Sequence, residues 1–196
     1  MENNFAKIAK KESNVLYSLK IGGILLGVCA VVALALSFVN LVTREQIATN
    51  EVEQRREAIV DLFDSEKIEF SKLDRIDSDG EEIEAIYRVV EDGETLGYCA
   101  SVLSPGFGGN IQMMVAMAGD RTIIGVKIVS MSETPGLGTR VDDDQYLAQY
   151  AGKGEALSAL GDIDVISGAT KSSKAVLAGV NAATAALAGH LGGGSN

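Results

Sequence analysis

The chain has 196 residues, 46% of them hydrophobic, with 17 Lys plus Arg set against 27 Asp plus Glu for a formal net charge of −10 at pH 7. That length holds one modest core and one membrane segment, which excludes a large multidomain enzyme, and the acidity excludes a nucleic-acid partner because phosphates would be repelled. Two cysteines, Cys29 and Cys99, without CxxC or CxxCH spacing provide no ligand set for iron–sulfur, structural zinc or covalent haem, so any redox chemistry needs an organic cofactor.

In chain order, a short arm (residues 1–20) carries Lys7, Lys10, Lys11 and Lys20 against Glu2 and Glu12, a balance of +2 that leaves −12 for the remainder. Ile21 to Val42 then run for 22 positions without a charged side chain, the length and composition of a bilayer-spanning helix. The run is longer than the apolar stretch of a cleaved signal peptide and is expected to be a retained anchor. The lysines of the arm and the acidity of the rest place the N-terminus in the cytoplasm and the following domain on the outer side of the cell membrane. Past the anchor, residues 43–66 are rich in helix formers, lack Gly and Pro, and offer Glu51 and Arg55 at i,i+4, so a juxtamembrane helix is expected.

From Glu82 the pattern turns strand-like: EIEAIYRVV, then TLGYCASVL after the turn Glu91-Asp92-Gly93, then NIQMMVAMA, then TIIGVKIVSM after Gly119-Asp120. The short links predict antiparallel pairing. Helical spacing returns around Asp143 to Tyr150 and again from Lys171 to about Ala188. The fold class is therefore α+β: one transmembrane helix, then an exported domain (67–190) with an antiparallel sheet and packed helices, then a Gly-rich tail (191–196). The single histidine, His190, stands beside that tail, which argues against a Ser-His-Asp hydrolase.

Three Gly-rich stretches interrupt the domain: Ser104 to Gly109, Glu133 to Gly138, and Ser167-Gly168-Ala169-Thr170. Glycine lets backbone amides approach a ligand closely, but each stretch alone also reads as an ordinary turn. The third places hydroxyl and small residues directly before a helix with Lys171 and Lys174 in its first turn. Unpaired N–H groups, the helix dipole and the lysines suit a phosphate there. The residues alone leave open that Ser167 or Thr170 merely caps the helix. Neither a Walker loop nor a GxSxG elbow is present.

Asp164-Val-Ile-Ser167-Gly168-Ala169-Thr170 resembles the D-x-x-[ST]-G-A-T flavinylation signal of FMN-binding domains. Glu133-Thr134-Pro135-Gly136-Leu137-Gly138 is similar to the E-T-P-G-L-G segment of the same domains, and Tyr146-Leu-Ala-Gln-Tyr150-Ala-Gly-Lys153 to their aromatic-Leu-x-Gln-aromatic-x-Gly-Lys stretch. One anchor plus a domain of this size is most like the G subunit of the Rnf ion-translocating ferredoxin:NAD oxidoreductase. The C subunit of the sodium-translocating NADH:quinone reductase is the alternative. A non-redox membrane adaptor and a stand-alone flavin reductase are further readings. The resemblance implies a redox subunit, not catalytic alone, with FMN joined by a phosphoester to Thr170. It also implies other subunits of a membrane electron-transport complex and a separate flavin transferase as partners. The cofactor-binding residues so implied are Thr170, Ser167, Gly168, Ala169, Lys171, Glu133, Thr134, Gly136 and Leu137, with no metal site. Both aromatic positions near residue 150 are Tyr, and the chain has no Trp.

Overall fold

The computed structural model describes residues 2–65, 67–73, 76–77, 82–154, 156–159 and 161–192. Residues 193–196 of the expected tail, and the side chains of Lys7, Lys10, Lys11, Arg44 and Glu51, lie outside the described set. The chain divides into two compact units, Met1–Glu51 and Val52–Asn196.

The first unit is helical. Helix α1 (Glu2–Phe63) has no Pro to break it, and it includes the stretch Leu19–Leu41, 23 residues with mean hydropathy 2.6, long and apolar enough to cross a membrane. None of that stretch is buried, as expected of apolar side chains with no protein around them.

The second unit is built on an antiparallel sheet. Its strands are β1 (Glu69–Lys72), β2 (Ile76–Asp77), β3 (Glu82–Glu91), β4 (Glu94–Pro105), β5 (Asn110–Ala118) and β6 (Ile123–Met131). The order is β1-β3-β4-β5-β6, with β2 pairing off β3. The β3–β4 hairpin turns at Asp92 and Gly93, both at positive φ (50° and 87°), the geometry that fits the right-handed twist of paired strands. Strand β5 is buried on both faces, which is why NIQMMVAMA reads as a nearly unbroken apolar run. Ile111, Met113, Val115 and Met117 face one core; Met114 and Ala116 face another. On β3 a register shift between Ile83 and Ala85 lets Ile83 and Ile86 share the first core despite their odd spacing.

Helix α3 (Thr170–Gly192) covers the first face with Val176, Leu177, Val180, Ala183 and Leu187. It runs past His190 to Gly192, beyond the expected end near Ala188. The short helix α2 (Asp144–Ala148) closes the same core with Tyr146 and Leu147, capped by the Asp143 carboxylate, which accepts from the amides of Gln145 and Tyr146. The last turns of α1 cover the second face, where Ala58 and Ile59 pack on Val89, Cys99 and Met114. Burial raises the Cys99 thiol far above its ordinary range, so this cysteine is an inert part of the core.

Candidate functional site

The three Gly-rich loops converge at the N-terminal end of α3. They enclose an open cleft of about 230 Å³ lined by Phe107 of the first loop, Glu133, Thr134, Leu137 and Gly138 of the second, and Gly168 to Ser172 of the third.

The third loop enters α3 through a turn at Ser167 and Gly168, where Gly168 adopts φ +85°. The first helical hydrogen bond runs from the Ser173 amide to the Ala169 carbonyl at 2.9 Å. Ala169 thus holds the capping position, and its methyl group offers no acceptor. The amides of Thr170, Lys171 and Ser172 have no acceptor among the described residues, leaving the positive end of the helix open. Thr170 is exposed, and among the described residues its hydroxyl makes no hydrogen bond. The simple capping role for Ser167 or Thr170 is therefore not the arrangement seen.

The second loop is a turn in which the Leu137 amide bonds the Thr134 carbonyl at 3.2 Å, with Pro135 second and Gly136 third at φ +74°. Proline fixes its own φ and glycine accepts the positive one, the signature of a type II turn. The Thr139 hydroxyl accepts from the Gly136 amide at 2.9 Å and stiffens it. The turn presents Thr134 and Leu137 to the cleft, while Gly136 supplies geometry and does not line it. Leu137 is 44% exposed, and its Cδ1 would lie 3.3 Å from a Cβ at Gly168, so the second and third loops touch.

The first and second loops are tied by Glu133. Its buried carboxylate accepts from the amides of Phe107 (2.6 Å) and Gly108 (3.2 Å). Phe107 itself is 66% exposed, and the Lys171 ammonium lies 5.4 Å from the centre of its ring.

Of the residues singled out in the sequence, Glu133, Thr134, Leu137, Gly168, Ala169, Thr170 and Lys171 line one cleft. Ser167 sits in the neighbouring groove with Arg140, whose guanidinium donates to the Ser167 carbonyl at 3.1 Å. Phe107, Gly138 and Ser172 also line the cleft and went unselected; the aromatic between glycines in Pro105-Gly106-Phe107-Gly108 was the available signal for the first.

The Tyr-Leu-x-Gln-Tyr-x-Gly-Lys stretch proves to be scaffold. Tyr146 and Tyr150 are buried with their hydroxyls 3.0 Å apart, and Tyr146 donates to the Ser173 carbonyl at 3.1 Å, bracing the start of α3. Burial raises both phenols above their ordinary range. The Gln149 side chain accepts from the Asp164 amide at 2.7 Å and so fixes the entry to the third loop. Gly152 and Lys153 pair with Ile123 on β6 at 2.8 Å.

A family model described as FMN-binding domain matches residues 106–185, the segment that contains Gly106 to Gly109 of the first loop and all of the second and third. The G subunit of the proton-translocating ferredoxin:NAD(+) oxidoreductase complex of Clostridium ljungdahlii is 37% identical over 106 residues, 50% of this chain and 57% of that one, so this match spans little more than half of that relative. Its counterpart in the Na(+)-translocating complex of Acetobacterium woodii is 31% identical over 83% of this chain and 87% of its own length. The corresponding G subunit of the ion-translocating oxidoreductase complex of Methanosarcina acetivorans is 30% identical over 80% and 87%. The crystal structure of Shewanella oneidensis NqrC shares the fold, with TM-score 0.53 at 18% identity over 68% of this chain and 91% of that one. With the family-model match and 30–31% identity over 80–83% of this chain and 87% of two relatives, the chain belongs to the FMN-binding-domain family of G subunits of ion-translocating oxidoreductase complexes.

Proposed function

We propose that this chain is the membrane-anchored, flavin-carrying subunit of an ion-translocating ferredoxin:NAD oxidoreductase complex, with FMN held by a phosphoester to Thr170. One observation carries the reading: an exposed hydroxyl without a protein partner among the described residues stands at the first position of an uncapped helix, facing a cleft lined by three Gly-rich loops.

The residues fit the group. A phosphodiester at Thr170 keeps one negative charge, which the free amides of Thr170 to Ser172 and the Lys171 ammonium offset. When bound, the flavin supplies reversible electron acceptance and donation. The chain's contribution is placement: Leu137 offers an apolar contact, Thr134 a hydrogen-bonding hydroxyl, and Gly168 the close approach of loop to ligand. Gln149 and the Tyr146–Tyr150 pair hold the start of α3 so that the attachment point does not wander.

A threonine hydroxyl is too weakly acidic to attack phosphate unaided. Maturation therefore requires a separate flavin transferase with Mg²⁺ and FAD. The new bond from Thr170 Oγ1 to phosphorus replaces the pyrophosphate bond, AMP leaves, and the hydroxyl proton passes to a base of the transferase. The proposed organisation is a cytoplasmic arm (1–20), an anchor (21–42), a juxtamembrane helix (43–66), an outer FMN-binding domain (67–190) and a tail (191–196). Covalent attachment suits that side of the membrane, where a dissociated flavin could not be replaced.

The test is full-length protein co-expressed with a flavin transferase, denatured, and read for flavin fluorescence and adduct mass. Wild type should stay fluorescent and Thr170→Ala should be dark at equal yield. Flavin retained on the alanine variant refutes the attachment, and colourless wild type favours the non-redox adaptor. A reporter fused after Asn196 should be active on the outer side only.

A further inference from the structure

We propose that Arg140 is a positioning residue for the cofactor: by holding the Ser167 carbonyl on the far side of the third loop, it turns the Gly168 amide toward the cleft. There that N–H favours negative charge on the bound group. The proposal rests on the reading that FMN is attached at Thr170, and it brings into the site a side chain that does not itself line the cleft.

The third loop is a hydrogen-bonded turn of four residues, in which the Ala169 amide donates to the Ile166 carbonyl at 3.0 Å. Gly168, third in the turn, has φ +85°, and Ser167, second, is not among the residues at positive φ. That combination is a type II turn. A type I turn closes with the same bond and differs by rotating the central peptide through roughly half a circle, which takes the third residue to negative φ. Glycine accepts both signs of φ, so Ser167-Gly168 does not choose between the two turns by itself. A contact from outside the turn has to choose.

Arg140 makes that contact. The neighbouring peptides have partners of their own: the Asp164 amide donates to the Gln149 side chain at 2.7 Å, and the Ile166 amide donates to the Ser173 hydroxyl at 3.2 Å. Among the described residues the central peptide has one partner, the Arg140 guanidinium, 3.1 Å from the Ser167 carbonyl oxygen. Arg140 is anchored in turn, since its amide donates to the Leu137 carbonyl and its carbonyl accepts from the Asp143 amide, both at 3.3 Å.

The two ends of this peptide face different spaces. Ser167 and Arg140 line a groove of about 420 Å³ behind the loop, whereas Gly168 lines the cleft. No cis peptide bond occurs among the described residues, and in a trans peptide the C=O and N–H point in opposite directions. A carbonyl held toward the groove therefore sends the Gly168 N–H toward the cleft. That N–H has no acceptor among the described residues, so it joins the free amides of Thr170 to Ser172 as a donor. A flipped peptide would present an oxygen there and oppose negative charge. Reduction adds negative charge to a flavin, so a donor facing it raises its potential.

The charge of Arg140 acts in the same direction, and the experiment separates charge from orientation. Arg140→Lys keeps both charge and donor, Arg140→Gln keeps a donor without charge, and Arg140→Met keeps neither. Ser167-Gly168 is the only Ser-Gly pair in the sequence, so isotopic labelling of the serine carbonyl carbon and the glycine nitrogen yields one carbonyl–amide cross-peak. It is recorded on detergent-solubilised full-length protein made without a flavin transferase, and inorganic phosphate is then titrated in. Arg140→Met should move the Ser167 carbonyl resonance. The phosphate concentration needed to shift the Gly168 amide should rise at least about tenfold, the factor for one hydrogen bond to a charged group.

The same variants matured with a transferase should keep covalent flavin after denaturation. Their midpoint potentials should follow the cross-peak: more negative in Arg140→Met, and near wild type in Arg140→Gln and Arg140→Lys. A wild-type cross-peak and phosphate response in Arg140→Met would overturn the proposal. So would a potential that follows charge, with Arg140→Gln matching Arg140→Met while its cross-peak matches wild type. Absence of covalent flavin from wild type would instead refute attachment at Thr170, whereas the cross-peak of the flavin-free protein tests the peptide lock by itself.

Discussion

The Glu133 carboxylate accepts a hydrogen bond from the Phe107 amide at 2.6 Å across 26 residues of sequence, joining two Gly-rich loops into one structural unit. Glu133→Ala would leave two amides without their charged acceptor and open a void beside Gly106 and Gly138. The expected cost is about 2–3 kcal/mol. It should appear as a lower urea midpoint with an unchanged slope, since the compactness of the unfolded chain is not at issue. An unchanged midpoint would mean that the loops hold each other without this carboxylate.

A second tie operates on the opposite face of the sheet. Glu84 Oε2 accepts from Arg55 of α1 (3.0 Å), Ser101 of β4 (2.9 Å) and Gln112 of β5 (2.6 Å), and Ser130 of β6 donates to Gln112 at 3.2 Å. The Arg55 and Glu84 side chains are 20% and 25% exposed, so the pair is only partly screened by water. Glu84→Ala strips one acceptor from three donors and should cost about 2 kcal/mol after that screening. Arg55→Met leaves Glu84 with two donors and retains the aliphatic packing, so it should cost about 1 kcal/mol or less. Chemical denaturation of both singles and the double variant gives the coupling. Equal losses from the two singles would show that Ser101 and Gln112 do not share in the cluster.

The contrast between the two faces explains what was legible in the sequence. Strand β5 matches its apolar run from Asn110 to Ala118, the β3–β4 turn matches Asp92-Gly93, and Pro135-Gly136 forms the turn its residue types dictate. These are local signals of periodicity and φ. The four-residue strand β1 carried too little periodicity to register, with three of its positions exposed at the sheet edge. The site was legible where a motif was contiguous, as at Ser167 to Thr170. The bonds from Phe107 to Glu133, Arg140 to Ser167 and Gln149 to Asp164 depend on loops that meet only after the sheet forms. Tyr146 and Tyr150 carry a motif legible only as a family resemblance; their bonds to each other and to the Ser173 carbonyl give it the role of a brace for α3.

Lys127 of β6 donates to Asp61 of α1 at 2.6 Å, and this hydrogen bond holds the ammonium above its ordinary value of 10.5. A lysine pKa raised by folding contributes stability that is fully present below the unfolded value and is lost as pH rises through the folded one. Both side chains are about half exposed, so the pair contributes only a few tenths of a kcal/mol. Lys127→Met should therefore melt slightly lower than wild type at neutral pH, and the gap should close as pH rises past the ordinary lysine value and through the raised one. A gap that widens with alkalinity would show that Lys127 contributes through something other than its charge.

Two glycines at packed positions should respond oppositely to the same added methyl group. At Gly97 of β4 a Cβ would lie 2.4 Å from the Met117 carbonyl oxygen, and that oxygen belongs to the backbone of β5, the neighbouring strand in the ladder. Nothing there can rotate away, so Gly97→Ala must push β4 and β5 apart or distort the strand, at about 1–3 kcal/mol. At Gly179 of α3 the nearest atoms are Cε and Sδ of Met113, at 2.9 and 3.1 Å, the far end of an unbranched side chain that can repack. Alanine in the helix interior also gains up to about 1 kcal/mol over glycine, which offsets the repacking. Gly179→Ala should thus stay within about 1 kcal/mol of wild type while Gly97→Ala falls well below it in the same urea titration. The reverse order would mean that Met113 is locked between α3 and the sheet, and that the close approach of α3 to Ser104, whose hydroxyl donates to the Ala175 carbonyl at 2.7 Å, is the tighter constraint on the fold.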